Sequence, residues 1–258
     1  MPFTLAHPAA VLPLRALPFM ALPPLIVGSL TPDLIGFLPY QLERTLLNSH
    51  SFLGTVLLDL PVGCLVLFML MLFRNALVRP LWEPHRAIIA DSLNSHFTHP
   101  RHWLIALPSL LAGSWTHIVW DSFTHVNYWT YRHFPVLYRP LFPDGLHHLA
   151  LFHALQYLTS ALGLTYIGWC YWQHVRRTRY APVKPSLTHT TSRQEILLML
   201  GLVAMALLAG LVRLLSASIE FDSIYARLSM VLKTALISFM LLYFASGVIL
   251  SKATVRQS

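Results

Sequence analysis

The sequence predicts an all-α protein, a polytopic transmembrane helical bundle of about five full spans plus a broken or re-entrant N-terminal helical pair. Three observations carry this. Of the 258 residues 55% are hydrophobic and only 11% charged, with a mean hydropathy of +0.58, whereas soluble domains carry about 25% charged residues. Five apolar runs, 52–73, 103–120, 149–172, 196–215 and 228–250, each approach the ~20 residues that cross a bilayer. The basic residues also collect in two places: Arg74, Arg79, Arg86 and Arg101 in one connection, and Arg176, Arg177, Arg179, Lys184 and Arg193 in another. Such clusters mark cytoplasmic loops, and they account for the formal charge of +8. With no alternation of aromatic and basic residues, a nucleic-acid partner is not expected.

Residues 1–33 are apolar but interrupted by Pro8, Pro13, Pro18, Pro23 and Pro24, with Arg15 among them. Proline breaks a helix interior, so two short helical pieces with a turn near residues 15–18 are expected. Irregular backbone at membrane depth needs protein or a water-filled cavity around it. Residues 34–50 form a polar connection ending in Asn48-Ser49-His50-Ser51. The span 52–73 follows, with Asp59 two residues before Pro61. Residues 74–102 read as a basic, solvated loop containing His85, His96, His99 and His102. After the span 103–120, residues 126–147 carry Tyr128, Trp129, Tyr131, Phe134 and Tyr138, rings suited to the membrane interface. The run 149–172 holds His153 and Gln156. The last two runs carry almost no polar chemistry and read as packing helices. The expected organisation is a membrane core over 1–173 that carries the site, a basic cytoplasmic linker over 174–194, and two accessory helices over 195–258.

Cys64 and Cys170 lie inside apolar runs and form no CxxC pair, so they read as small buried hydrophobes. No basic region precedes the first apolar stretch, so a removed signal peptide is not expected. Gly-rich phosphate loops and a nucleophile elbow are missing, which leaves nucleotide-driven and serine-hydrolase chemistry without support.

The chemistry gathers at the end of the 103–120 run. In Ser114-Trp115-Thr116-His117-Ile118-Val119-Trp120-Asp121-Ser122-Phe123-Thr124-His125, the spacing of four places His117, Asp121 and His125 on one helix face, within about 80°. Ionisable groups in apolar surroundings are costly without partners. Three on one face point to a metal ligand set. His7, Asp33 and His50 are the natural suppliers of further ligands. The candidate metal ligands are therefore His7, Asp33, His50, His117, Asp121 and His125, with Asp33 a ligand or the general base. Imidazole and carboxylate without thiolate suits a catalytic divalent metal, zinc before manganese or iron, rather than a structural zinc site. His125 is the ligand that could equally lie at the pocket rim. Asp59 has two readings: a carboxylate orienting a histidine, or a capping or water-bonded residue beside the Pro61 break. His133, His147, His148, His174 and His189 read as interfacial or hydrogen-bonded residues.

Charge bias orients these groups. With both basic loops in the cytoplasm, His50 and the His117–His125 face fall at the extracytoplasmic ends of their helices. The protein is expected in the cytoplasmic (inner) membrane of a bacterium, as a multi-pass protein.

The opening Met-Pro-Phe-Thr-Leu-Ala-His-Pro-Ala-Ala-Val-Leu-Pro-Leu, Gly28-Ser29 with Pro32-Asp33, Ser49-His50-Ser51, and Thr116-His117 through Thr124-His125 resemble the bacterial membrane family called domain of unknown function 4184. Leu155-Gln156-Tyr157 with Gly163 resembles a later stretch of it, and the resemblance covers roughly residues 1–170. It implies fold and location rather than a reaction. More distantly, the pattern is similar to membrane-bound metal-dependent hydrolases, which share an early His, a Pro-Asp element, a His-Ser element and a helical His-x-x-x-Asp. That resemblance implies His7, Asp33, His50, His117 and Asp121 as the matching positions. The hydrolases tend to show a fuller Pro-Asp-x-Asp, whereas Asp33 is followed here by Leu34 and Ile35. One acidic ligand fewer counts against a second metal, although six candidates leave room for one.

Two functions fit these residues. One is a metal-dependent hydrolase of a lipid or phosphoester at the extracytoplasmic face. The other is a non-enzymatic transporter or assembly factor, using the same residues for metal binding or proton relay.

Overall fold

The prolines that break the first apolar stretch set the path of the chain into the site. The computed structural model describes residues 4–35, 50–95, 100–141, 150–179, 192–215 and 224–255. A 3₁₀ turn at Thr4–Ala6 leads into helix α1 (Pro8–Val11), a second 3₁₀ turn at Leu12–Ala16, and an extended residue at Leu17. The chain then reverses into α2 (Leu22–Ile35). This reversal brings Asp33 back beside the start of the chain, where Thr4 Oγ1 donates to Asp33 Oδ2 at 2.6 Å.

The next element opens with α3 (Phe52–Gly54), passes through a π-helical turn at Thr55–Asp59, and continues as α4 (Leu60–Leu72). Pro61 has no N–H for the normal i→i−4 bond. The chain widens before it, and Leu60 N–H donates to Thr55 O. The remaining helices are α5 (Arg74–Val78), α6 (His85–Ser95), α7 (Pro100–Thr124), α8 (Tyr128–His133), α9 (Leu151–Arg179), α10 (Ser192–Leu215) and α11 (Ile224–Val255). The described residues contain no strand, only an isolated bridge between Pro140 and Ala150. Among the described residues three stretches, Phe52–Leu72, Arg101–Thr124 and Ile196–Leu215, are long and apolar enough to cross a membrane, and Thr234–Leu250 is a shorter apolar stretch. Leu65, Phe68 and Leu72 on α4 and Leu104 and Val119 on α7 are exposed apolar residues, as lipid-facing positions would be.

The 74–102 connection is not the solvated loop its composition suggests. It holds α5 and α6, and Arg86 is buried. Pro84 pre-sets the helical start, and Glu83 Oε2 accepts the Ala87 N–H at 3.3 Å. The apolar Ala87, Ile88, Ile89 and Leu93 then recur at helical spacing. His85 packs edge-on against Trp82 and His102 lies on α7; His96 and His99 fall outside the described residues. Of the stretch 174–194, residues 174–179 continue α9 and 192–194 begin α10, while 180–191 lie outside the described residues.

The chain divides into two compact units, Met1–Met71 with Asn94–Arg176 and Leu72–Leu93 with Arg177–Ser258. In the second, α10 packs along α11, and α11 also packs on α5, where Tyr243 Oη donates to the Leu77 carbonyl. The first unit holds the site, and its centre is the α2–α7 pair. A Cβ on Gly28 would lie 2.2 Å from Leu110 O, and one on Gly113 would lie 2.4 Å from Leu25 O. The two backbones touch where no side chain intervenes, as at small-residue crossings of membrane helices. The pair runs parallel, since successive contacts climb both sequences together: Ala21 N–H to Ser109 Oγ, Ser114 Oγ to Gly28 O, His117 Nδ1 to Ser29 O. Pro32 cannot donate to Gly28 O in the i→i−4 pattern, and the Ser114 hydroxyl supplies that bond instead at 3.0 Å. Val27, Leu67, Ala106 and Leu110 form the apolar core around this crossing.

Candidate metal centre

The six predicted ligands come from four segments of the first unit. His7 is the residue before α1, Asp33 lies in the last turn of α2, and His50 precedes the α3 N-cap Ser51, whose Oγ accepts the Gly54 N–H at 3.0 Å. His117 and Asp121 occupy the last two turns of α7, and His125 follows its end. His7, Asp33, His117 and Asp121 are buried, with His117 fully so. The His50 and His125 side chains are 40% and 33% exposed, so the site opens on the side they occupy.

Their donor atoms converge. One ligand atom from each of Asp33, His50, His117 and Asp121 lies within 4.8 Å of every other. His117 Nε2 is 3.3 Å from Asp121 Oδ2 and 3.6 Å from Asp33 Oδ1, and His50 Nε2 is 3.6 Å from both of those oxygens. His7 Nε2 and His125 Nδ1 each stand 3.4 Å from Asp121 Oδ1. The His7 and His117 rings stack with centroids 3.8 Å apart.

Hydrogen bonding at the back of the site aims these groups inward. A carbonyl oxygen only accepts, so the 2.7 Å contact between His117 Nδ1 and Ser29 O requires the proton on Nδ1. Nε2 then faces the carboxylates. Metal-binding histidines characteristically donate their other ring N–H in this way. Thr4 does the same for Asp33, tying up Oδ2 and leaving Oδ1 toward the cluster. Beside the carboxylates of Asp121 and Asp33, the His50 imidazole is pushed up to about 9 from its ordinary 6.5, against the opposing effect of burial.

The donor set fits a divalent cation. His7 Nε2, His117 Nε2, Asp121 Oδ1 and His125 Nδ1 are shielded from solvent yet have no hydrogen-bond partner. Each such orphan costs roughly 1–3 kcal/mol, more where charge is involved. A cation among them would offset that cost: donors held about 2.0–2.2 Å from one tetrahedral ion lie roughly 3.3–3.6 Å from one another, as these nitrogen–oxygen separations do.

Other predicted features fall differently. Asp59 sits in the π-helical turn, 1% exposed, with neither carboxylate oxygen hydrogen-bonded. Among the described residues it neither orients a histidine by a hydrogen bond nor caps a backbone amide. His133 is exposed, with Nδ1 on Trp129 O at 2.8 Å, and it stacks on the Trp129 ring. His147, His148 and His189 lie outside the described residues. The Ser29 carbonyl and the Thr4 hydroxyl were not predicted as supports; their only signal is proximity in sequence to Asp33 and His7.

An apolar groove of about 690 Å³ runs beside the site, lined by Ala10, Ala112, Trp115, Val119, Phe123 and Leu155 among others. Thr116, Trp120 and Thr124, which also line it, each precede a member of the His117–Asp121–His125 set by one residue, a rotation of about 100° on the same helix.

Neither the curated proteins nor the solved structures contain a match to this chain. The family described as Domain of unknown function (DUF4184) matches residues 1–252, well past the roughly 170 residues whose motifs carry the resemblance, so α10 and most of α11 are part of the family's own pattern. The chain belongs to the DUF4184 family.

Proposed function

We propose that this protein is a membrane-embedded, metal-dependent hydrolase of a lipid or phosphoester. The observation that carries the reading is the convergence of Asp33, His50, His117 and Asp121 donor atoms within 4.8 Å at the end of a long apolar helix. These four residues would hold the ion, and zinc is the ion their imidazole and carboxylate chemistry suits. A divalent cation bound there supplies Lewis acidity toward a phosphoryl oxygen and lowers the pKa of a coordinated water. Asp33 acts as the ligand or the base: its Oδ2 is restrained by Thr4, and its Oδ1 faces the cluster. The opening at His50 and His125 admits a head group. The apolar groove along α7 supports a lipid, since its volume falls in the range of small-molecule sites.

The rest of the reading follows the charge pattern. The chain crosses the cytoplasmic membrane of a bacterium about five times, with both basic connections inside and the site near the extracytoplasmic face. A non-enzymatic role in transport or assembly draws its support from Asp59, a buried carboxylate without a hydrogen bond inside an apolar helix, the kind of group that relays protons.

The test is zinc content and turnover on the purified full chain in micelles. A hydrolase holds zinc, loses it in His117→Ala, and cleaves members of a phospholipid panel only in the zinc-loaded form. Stoichiometric zinc retained by His117→Ala would sink the site as described. A zinc-loaded protein inert toward phospholipids and soluble phosphoesters would move the assignment to transport or assembly.

A further inference from the structure

The two oxygens of the Asp121 carboxylate serve different neighbours. Oδ2 faces His117 Nε2 at 3.3 Å and His50 Nε2 at 3.6 Å. Oδ1 faces His7 Nε2 and His125 Nδ1, each at 3.4 Å. His7 Nε2, Asp121 Oδ1 and His125 Nδ1 are all shielded from solvent, and none is hydrogen-bonded. The 3.4 Å separations are within ion-pair range, but no hydrogen bond joins the groups. His7 is 4% exposed and Asp121 8%, so burial without a partner is costly for both.

Two imidazole nitrogens, each 3.4 Å from one carboxylate oxygen, with all three atoms shielded and none hydrogen-bonded, are a donor set that a cation would satisfy. The geometry points to a second divalent-cation site, formed by His7 Nε2, His125 Nδ1 and Asp121 Oδ1, with the Asp121 carboxylate bridging it to the first. This rests on the metal-site reading above. A bridging carboxylate holds two ions about 3.5–4 Å apart. The backbone at His125 is held for this role: Tyr138 Oη reaches His125 O at 3.4 Å and accepts the Asn127 N–H at 3.0 Å. A paired site narrows the substrate class. Two cations clamp the attacking and leaving oxygens of an in-line displacement at phosphorus, so a phosphoester is favoured over a carboxylic ester.

The experiment is Mn²⁺ titration of the chelator-stripped full chain in micelles, read by bound metal per chain and by electron paramagnetic resonance. Two Mn²⁺ per chain with an exchange-coupled spectrum are expected for the unaltered protein. His125→Ala, at a partly exposed position beyond the end of α7, should bind one Mn²⁺ with an uncoupled spectrum. His7→Gln, which keeps side-chain bulk, should do the same. Saturation at one Mn²⁺ in the unaltered protein, lost in His117→Ala but kept in His125→Ala, would overturn the second site and leave the first standing. Two Mn²⁺ retained by both His125→Ala and His7→Gln would also overturn it. No Mn²⁺ bound by the unaltered protein would remove both sites together.

Discussion

His117 donates its Nδ1 proton to the carbonyl oxygen of Ser29 at 2.7 Å, and that one bond fixes which ring nitrogen the site can use. Ser29 lies one residue after Gly28, where α2 and α7 are in backbone contact. The orientation of a candidate ligand on one helix is thus set by the main chain of another.

The supporting hydroxyl of Thr4 should matter nearly as much as the ligands. Thr4→Val keeps the shape of the side chain and removes the 2.6 Å bond to Asp33 Oδ2. Loss of such an orienting group typically weakens metal affinity about 10–100-fold. Competition with a chromophoric zinc chelator should show a drop of that size, with the melting temperature of the metal-free protein little changed. Unaltered affinity would remove Thr4 from the site.

The pH dependence follows from His50. Its folded pKa is raised to about 9 from 6.5 by Asp121 first and Asp33 second. A raised histidine pKa stabilises the metal-free fold fully below about pH 6.5, and the contribution is lost as pH climbs through about 9. Zinc needs the unprotonated ring and expels that proton on binding. The metal-free melting temperature should therefore fall between about pH 6.5 and 9, while the rise on adding saturating zinc grows over the same interval. A zinc-dependent rise that is flat across it would show that the metal does not displace the His50 proton.

Gly28→Ala tests the helix crossing. The added Cβ would meet the Leu110 backbone oxygen at 2.2 Å, and backbone cannot yield as a flexible side chain does. Overpacking of this kind costs about 1–3 kcal/mol or more. The measurable outcome is a clear drop in thermal midpoint together with weaker zinc binding, because Ser29 and Asp33 would move with α2. Alanine at Gly168, where a Cβ meets nothing within 4 Å, is the control and should leave both unchanged.

Trp115→Phe should lose the Nε1–H bond to Thr55 Oγ1, 3.0 Å long, at about 0.5–1.5 kcal/mol. The indole pins the π-helical turn to α7. Fluorescence-monitored denaturation would miss the change, since it removes a reporter; the shift is better read by circular dichroism. An unshifted midpoint would show that the turn holds without it.

The helices were legible where apolar runs were long, and the His117–Asp121–His125 face was legible because three ionisable groups at one spacing have few other uses in apolar surroundings. His7, Asp33 and His50 could be named as partners, since each is a polar group beside an apolar stretch. What brings them together was not legible. Gly28 and Gly113 carry no side chain to form a pattern, and the Ser29 carbonyl is backbone that every residue possesses. The 74–102 stretch misled because charge density was read as solvation, when Arg86 turns inward and the apolar residues of α6 repeat at helical spacing. Asp59 was visible as an anomaly, yet its place in a π turn depends on how Pro61 and Thr55 share one carbonyl ladder.

That turn has a consequence for how the chain can change over time. A π turn carries one residue more than the α-helix it interrupts, and each residue advances a helix by about 100°. The turn at Thr55–Asp59 therefore acts as a phase setter between the α4 anchor and the His50 segment. Deleting one residue within it would restore a regular helix and swing His50 about a quarter turn away from Asp33 and Asp121. Substitutions around the turn are local events, but a change in its length is a change in angle, passed undiminished to the open side of the site.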